Sequence, residues 1–347
     1  MKWVPDFTEA EIAATASQPA ALLTMELELT RACNLVCKYC YASSGRPLKD
    51  ELSYLELTQT VSQAAGLGAR RIIILGGGEP LIYPQLRPLI SYIRSLELEV
   101  DVFTNGTLLS REWADFLFEH QVAVNVKYNS NRPEVQDHLA GRPGTFAAIQ
   151  EALSHLRQAG YPDQEHRVGV ETVICRQNIK DLPEIWRWAR DHQYIPYVEI
   201  MTPQGRAQEY PELEVSSQET LELFQAIQKI DQEEYGHAWP ITPPLVGATC
   251  RRHLYSCMVD SLGNVSPCPG VDIKAGNIRQ KSLKEILATS PVFQDLRRIH
   301  EKITGPCREC EHHAFCYGCR GAAYNMTRDY LASDPLCWKV KSTTNQK

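Results

Sequence analysis

The segment Cys33-Asn-Leu-Val-Cys37-Lys-Tyr-Cys40 puts three thiols within eight residues. Thiolates this close on one loop can hold three irons of a 4Fe-4S cluster and leave the fourth iron without a protein ligand. A structural zinc site is a poorer fit, because zinc wants four ligands. Eight more cysteines crowd the C-terminal part: Cys250, Cys257, Cys268, Cys307, Cys310, Cys316, Cys319 and Cys337. Eight thiols divide into two complete four-cysteine sites. On spacing alone, the Cys307/Cys310 and Cys316/Cys319 pairs would serve a zinc ribbon equally well. Cys175 is left over on a predicted strand, where a buried core thiol is its expected fate. Gly76-Gly77-Gly78-Glu79-Pro80 is a second candidate site, since glycines admit a ligand to the backbone and a carboxylate complements an ammonium. The same residues also make ordinary turns. The ten histidines, His312 and His313 among them, show no metal spacing and read mostly as surface.

These residues need a frame to position them. Between residues 25 and 201, short apolar strands at 25–30, 71–75, 100–104, 122–128, 168–175 and 197–201 alternate with amphipathic helical patterns at 53–67, 84–96, 111–120, 145–160 and 182–192. Repeated beta-alpha units of this kind make an α/β fold with a parallel sheet, read here as a partial (β/α)6 TIM-type barrel. Ligands in such sheets bind at the carboxyl ends of the strands. The cysteine loop follows the first strand and the glycine run the second. A capping-box pattern at Ser216 and Glu219 opens a further helix that ends before Gly236 and a proline-rich stretch. The chain therefore divides into an N-terminal extension (1–24), a barrel (25–235) and a small cysteine-rich α+β unit (236–347). That last unit holds too little apolar sequence to fold by packing alone, so metal is expected to hold it together.

Composition narrows the function classes. The chain has 347 residues, 43% hydrophobic and 22% charged, with a formal charge of -6, an ordinary globular balance with no basic footprint for nucleic acid or anionic membrane. The N-terminus carries Asp6, Glu9 and Glu11 instead of a basic start and an apolar run, so a cytoplasmic location is expected. Twelve cysteines in a reducing compartment point to metal ligation or catalysis rather than to disulfides.

The C-x3-C-x2-C loop after a first barrel strand resembles the signature of radical S-adenosylmethionine (SAM) enzymes. The glycine run resembles that family's GGE(P) motif. The resemblance implies that Tyr39 packs near the adenine of SAM and that Gly77, Gly78 and Glu79 receive its methionine ammonium. It also places Thr104-Asn105-Gly106, Lys127, Asn129 and Ser130 at strand ends that face SAM, and Met201 near the adenine. Gly205-Arg206-Ala207 is similar to a segment of close relatives, although Arg206 reads equally as a solvated side chain. Downstream, Cys250-x12-Gly263-x4-Cys268, then Cys307-x2-Cys310-x5-Cys316-x2-Cys319 and Cys337, resembles the SPASM extension of this family. That family usually has three residues where this chain has two between Cys316 and Cys319. The resemblance assigns Cys33, Cys37 and Cys40 to a SAM-binding cluster. It gives Cys250, Cys257, Cys268 and Cys319 to one auxiliary cluster, and Cys307, Cys310, Cys316 and Cys337 to the other.

The cofactors implied are thus three 4Fe-4S clusters and SAM. The chemistry implied is reductive cleavage of SAM to a 5'-deoxyadenosyl radical that takes a hydrogen atom from the substrate. Auxiliary clusters with four cysteines have no vacant iron, so electron transfer is their expected work, and crosslinking, dehydrogenation or oxidative decarboxylation is expected ahead of group migration, with redox-neutral epimerisation as the alternative outcome. A ribosomal peptide or protein side chain is the first substrate class expected. The alternative is a small molecule, such as an aminosugar, nucleoside or tetrapyrrole, and an iron-sulfur electron carrier without catalysis is a third reading. The expected partners are flavodoxin or ferredoxin as electron donor and a separate carrier for a leader peptide, since about 24 residues before the first strand are too few for a leader-binding domain. No catalytic base is assigned: Pro269 follows Cys268, where some sulfatase-maturing members of the family place a carboxylate, and Asp260 and Asp272 lie away from that position.

Overall fold

The computed structural model describes residues 7–340. Residues 1–6 of the expected extension, with Asp6, and residues 341–347 of the expected cysteine-rich unit lie outside the described residues. Strands β1 (Thr24–Glu28), β2 (Arg71–Leu75), β3 (Glu99–Thr104), β4 (Ala123–Lys127), β5 (Val168–Ile174) and β6 (Ile195–Ile200) form the expected barrel. They pair in sequence order, all parallel. Helices α1 (Glu9–Ala16), α2 (Tyr54–Gly66), α3 (Leu86–Ser95), α4 (Arg111–Glu119), α5 (Pro133–Ala140), α6 (Thr145–Ala159), α7 (Leu182–Asp191) and α8 (Ser217–Tyr235) complete this part of the chain. Two of them were not expected from the sequence, α1 and α5. The capping boxes of Ser53 with Glu56 and of Ser216 with Glu219 are formed, and Gly236 ends α8 in the left-handed region.

Strand parity decides what each face carries. Outward positions hold Met25, Leu27, Ile72, Ile74, Val100, Val102, Val124, Val126, Val168 and Val170, all buried beneath the helices. Inward positions hold Glu26, Asp101, Lys127, Glu171, Tyr197 and Glu199, which line a cavity. The barrel is therefore apolar outside, and its inner wall sets charged residues among Ile73, Leu75, Phe103 and Val173.

The sheet does not stop at the sixth strand. β7 (Ser256–Val259) pairs parallel to β1, and β8 (Asn264–Ser266) and β9 (Gly276–Asn277) continue antiparallel, giving the order β6-β5-β4-β3-β2-β1-β7-β8-β9. The later helices bring Leu283, Ile286, Leu287, Phe293, Leu296 and Ile299 into the same hydrophobic core as the barrel. The C-terminal part thus shares the barrel's core, through a strand pairing with no local sequence signal, so it does not depend on its own apolar residues alone. Among the described residues no helix is long and apolar enough to cross a membrane.

One buried carboxylate ties three segments. Asp231 of α8 accepts hydrogen bonds from Trp186 Nε1 at 2.7 Å, Trp239 Nε1 at 2.9 Å and Arg190 at 2.7 and 2.9 Å. Asp231→Ala should destabilise the protein by about 3 kcal/mol, because it strands buried donors and a guanidinium. The change should appear as a lower urea midpoint under anaerobic conditions.

Candidate functional site

The cysteine loop after β1 has little regular structure, and its neighbours hold it from several sides. Gly45 closes its ends through Cys33 N to Gly45 O and Gly45 N to Arg31 O, both 3.0 Å. Glu28, fully buried, accepts from Tyr41 Oη at 2.8 Å and faces Arg31 at 3.1 Å. Arg206 donates to the carbonyls of Cys37 at 2.9 Å and Ser44 at 2.6 Å, while its own amide donates to Cys40 O. Arg206 is thus a clamp on the loop and not a solvated side chain. The unexpected α5 supplies a further support: Val36 N and Lys38 N donate to the carbonyls of Ala140 and Leu139 at its C-terminus. Pro133 at its start and Gly141 in the left-handed region at its end were the signals available for it. Burial pushes the Cys33 thiol up to about 11 and the Cys37 thiol up to about 12.

The glycine run serves the loop as well as a ligand. A Cβ on Gly78 would sit 2.0 Å from Ala32 O, and the backbone amides of Gly78 and Glu79 donate to Thr30 O and Ala32 O at 2.6 and 2.8 Å. Glu79 is buried with its carboxylate oriented by Leu81 N (3.1 Å), Thr104 Oγ1 (2.6 Å) and Asn105 N (2.8 Å). Burial pushes its pKa up despite those donors.

One cavity of about 310 Å³ is lined by Cys33, Cys37, Cys40, Tyr39, Gly76, Gly78, Glu79, Lys127 and Met201, together with Cys250, Cys268 and Cys319 from the C-terminal part. Gly77 lies off it, against the Glu28 side chain. Asn129 and Ser130 are fully buried and do not line it. Asn129 instead donates to Tyr39 Oη at 2.7 Å and accepts from Val173 N at 2.9 Å, so it holds the tyrosine in place. Cys175 is a buried core thiol beside Tyr39 and Met201.

The cavity wall is charged. Arg252 pairs with Glu26 at 2.7 Å, Lys127 with Glu171 at 2.5 Å, and Arg251 with Glu9; Arg320 donates to the carbonyls of Tyr330 and Ala332. Every one of these cations already has a protein partner. Burial, with the Glu171 carboxylate beside it, lifts the Glu199 carboxyl to about 7.

A second, smaller cavity is lined by Cys307, Cys310, Cys316 and Cys337. The structure therefore brings together one expected set of four in full and three members of the other, with Cys257 outside both cavities. All twelve cysteines are free thiols. Among the described residues no three His, Cys, Asp or Glu side chains converge on a single-ion site. The groups of thiols fit a multi-iron cluster, whose ligands stand apart around a cubane, better than one zinc ion.

Sequence reasoning missed His253, expected with most histidines at the surface. It is buried, with Nε2 3.3 Å from Cys268 Sγ and Nδ1 3.3 Å from Tyr317 Oη. Burial, beside Arg252 and Arg320, drives its pKa down to about 3 and keeps the ring neutral. His166 is also buried, stacked on Phe118.

Residues 27–189 match the radical SAM superfamily, and residues 250–311 match SPASM, an iron-sulfur cluster-binding domain. The chain is 30% identical over 336 residues to an AdoMet-dependent heme synthase of Methanosarcina barkeri, an alignment that covers 89% of this chain and 94% of that protein. It is 27% identical over 332 residues to the mycofactocin maturase MftC of Mycolicibacterium smegmatis, covering 91% and 83%. Among solved structures, its fold resembles that of Streptococcus suis SuiB bound to precursor peptide SuiA, with a TM-score of 0.73 at 14% identity over 95% and 79% of the two chains.

Two measurements check this geometry. Gly78→Ala should displace the cysteine loop and lower bound iron by about four per chain while the C-terminal sites stay loaded; iron analysis reads this directly. Glu199 binds its proton more tightly in the folded than in the unfolded chain, so it lowers stability as pH rises from roughly 4.5 to 7. Glu199→Gln should flatten part of that decline, seen by comparing thermal midpoints at about pH 5 and about pH 7.5.

Proposed function

Since this chain belongs to the radical SAM superfamily and carries its SPASM extension, we propose that it is an oxidative radical SAM enzyme acting on a peptide or protein side chain. Its cofactors are SAM and iron-sulfur clusters. With these bound, the site supplies a 5'-deoxyadenosyl radical that takes a hydrogen atom from the substrate. The observation that carries the oxidative reading is the single cavity, which has the first cysteine loop on one wall and Cys250, Cys268 and Cys319 on another. A substrate between them has a second redox centre within reach.

The chain's own residues take these roles in the proposal. Cys33, Cys37 and Cys40 hold the SAM-binding cluster, and Cys307, Cys310, Cys316 and Cys337 hold the distant auxiliary one. Glu79, oriented by its three donors, receives the methionine ammonium together with the backbone of Gly76 and Gly78. Tyr39, fixed by Asn129, and Met201 flank the adenine. We place the boundary between barrel and extension at 235/236, where Gly236 ends α8. Flavodoxin or ferredoxin is the electron donor in this reading, with a separate carrier for a leader peptide, and the free cysteines favour the cytoplasm.

The charge of the cavity favours a peptide. A tetrapyrrole bearing several carboxylates would find Lys127, Arg251 and Arg252 already paired with carboxylates, whereas the Glu199 carboxyl, lifted to about 7 by burial beside Glu171, suits a neutral or cationic group. The second reading, decarboxylation or dehydrogenation of a tetrapyrrole, is favoured by the 30% identity to a heme synthase along nearly its whole length.

Purified without oxygen, the protein should be brown with about twelve irons per chain. After reduction it should convert SAM to 5'-deoxyadenosine. Replacing Cys33, Cys37 and Cys40 by Ala should abolish that product and leave the auxiliary iron in place. Substrate class is read from deuterium: transfer into 5'-deoxyadenosine from a deuterated peptide supports the first reading, and transfer only from a deuterated tetrapyrrole replaces it with the second. A protein that binds iron but never makes 5'-deoxyadenosine is a carrier instead.

A further inference from the structure

His253 lines the cavity beside Cys268, and each of its ring nitrogens has a partner. Nε2 stands 3.3 Å from Cys268 Sγ, and Nδ1 stands 3.3 Å from Tyr317 Oη. Those partners assign the tautomer. The Tyr317 oxygen takes the backbone amide of His253, so its own proton goes to the acceptor beside it, Nδ1. A neutral imidazole that accepts at Nδ1 carries its proton at Nε2, and Nε2 faces the sulfur. The ring stays neutral because it is buried beside the guanidiniums of Arg252 and Arg320.

The arrangement is held rigidly. Tyr317 is 1% exposed, and His300 packs edge-on against its ring at 5.6 Å. His253 sits in the single 3-10 turn Arg252–Leu254 that leads into β7. Cys268 also accepts from Val271 N at 3.3 Å, whereas Cys319 on the same wall accepts from a backbone group, Ala322 N at 3.3 Å. Packing alone does not ask for a histidine here. A phenylalanine would fill the space between Tyr317 and Cys268 without burying two ring nitrogens, which is costly unless both find partners. What the imidazole adds is a proton aimed at one sulfur. Hydrogen bonds to ligand sulfurs are among the levers that set the potential of an iron-sulfur cluster. Such a bond favours the form with more negative charge on sulfur, which is the reduced one.

We propose that His253 is a positioning residue for the oxidative step: its Nε2–H, aimed by Tyr317, donates to Cys268 Sγ and raises the reduction potential of the cluster that Cys268 carries. In that step the substrate radical gives one electron to this cluster, reducing it by one unit, and the proton released with it leaves to water. The inference rests on the reading that Cys268 belongs to a cluster on the cavity wall. It makes the wall's readiness to take an electron depend on a side chain that is not a ligand.

The test uses the full chain, reconstituted without oxygen, with Cys33, Cys37 and Cys40 replaced by Ala so that the auxiliary clusters alone remain. A redox titration followed by electron paramagnetic resonance should give two midpoints. Cys268→Ala should delete one of them with about four irons and so identify it. His253→Phe should keep the iron, leave the other midpoint in place, and weaken the electron affinity at the Cys268 midpoint about tenfold, a downward shift of ~59 mV for one electron. His253→Gln, whose amide reaches the Nε2 position with a donor, should restore most of the shift. Tyr317→Phe, which frees the tautomer, should fall between wild type and His253→Phe. Protein with unaltered His253 and 15N-labelled histidine should show a weak nitrogen coupling at the reduced Cys268 cluster, the mark of a hydrogen bond to sulfur. A strong coupling makes His253 an iron ligand and overturns the proposal. No coupling, or a His253→Phe midpoint equal to that of wild type, also overturns it. If His253→Phe fails to load its iron, the labelled protein decides between the same outcomes. Cys268→Ala that keeps all its iron overturns the cluster assignment on this wall, a result distinct from an unmoved potential.

Discussion

An irregular loop has to hold three thiols apart and keep its own backbone satisfied, and much of the barrel's carboxyl end is arranged around that demand. Buried amides and carbonyls without partners are costly, and an extended strand would spread Cys33, Cys37 and Cys40 along its length instead of gathering them. The loop therefore borrows its partners from elsewhere. Gly78 lets the chain after β2 come within hydrogen-bonding reach of Thr30 and Ala32, Arg206 arrives from beyond β6, and the C-terminus of α5 supplies Leu139 and Ala140. Gly205 belongs to the same scheme: it is in the left-handed region, and a Cβ there would collide with Tyr41 O at 2.1 Å. Residues more than a hundred positions apart thus serve one short segment.

The second consequence of that site is the charged interior. Glu26, Glu28, Glu79 and Asp101 are buried, and burial pushes all four carboxyls up. A barrel built for stability alone would fill these inward positions with branched aliphatic residues. Here the inner wall carries acids paired to Arg252, Lys127 and Arg31, while the outer wall carries the apolar packing. Buried ion pairs contribute little net stability after desolvation. Their presence on one face only is the mark of a wall shaped for a ligand.

How much of this was legible in the sequence depended on the range of the interactions. The six barrel strands and the capped helices were readable because parity, caps and glycine stops are local. The three-cysteine loop was readable for the same reason, as its ligands lie within one turn of chain. Helix α5 was missed although Pro133 and Gly141 mark its ends, because its eight residues offer few apolar positions and no capping side chain. His253 looked like a surface histidine, since nothing near it in sequence announces Tyr317 or Cys268. β7 was hidden more deeply. Its pairing with β1 joins residues more than two hundred apart, and a four-residue strand with one serine and one cysteine gives no periodicity to read.

That hidden pairing is also what separates two cysteines that spacing alone treats as equals. Cys257 and Cys268 are both buried and both lie in the C-terminal group, so a count of thiols gives each a ligand's role. The register Met25 with Cys257 assigns the first to the helix-facing layer, while the turn after β8 swings Cys268 round to the cavity. A single residue's shift in register would exchange inward and outward faces along β7. The chemistry available to the cavity wall therefore depends on β1 as much as on any cysteine. β1 leads directly into the loop that holds the first three thiols, so one strand sets the position of both cysteine-bearing walls relative to each other and to whatever lies between them.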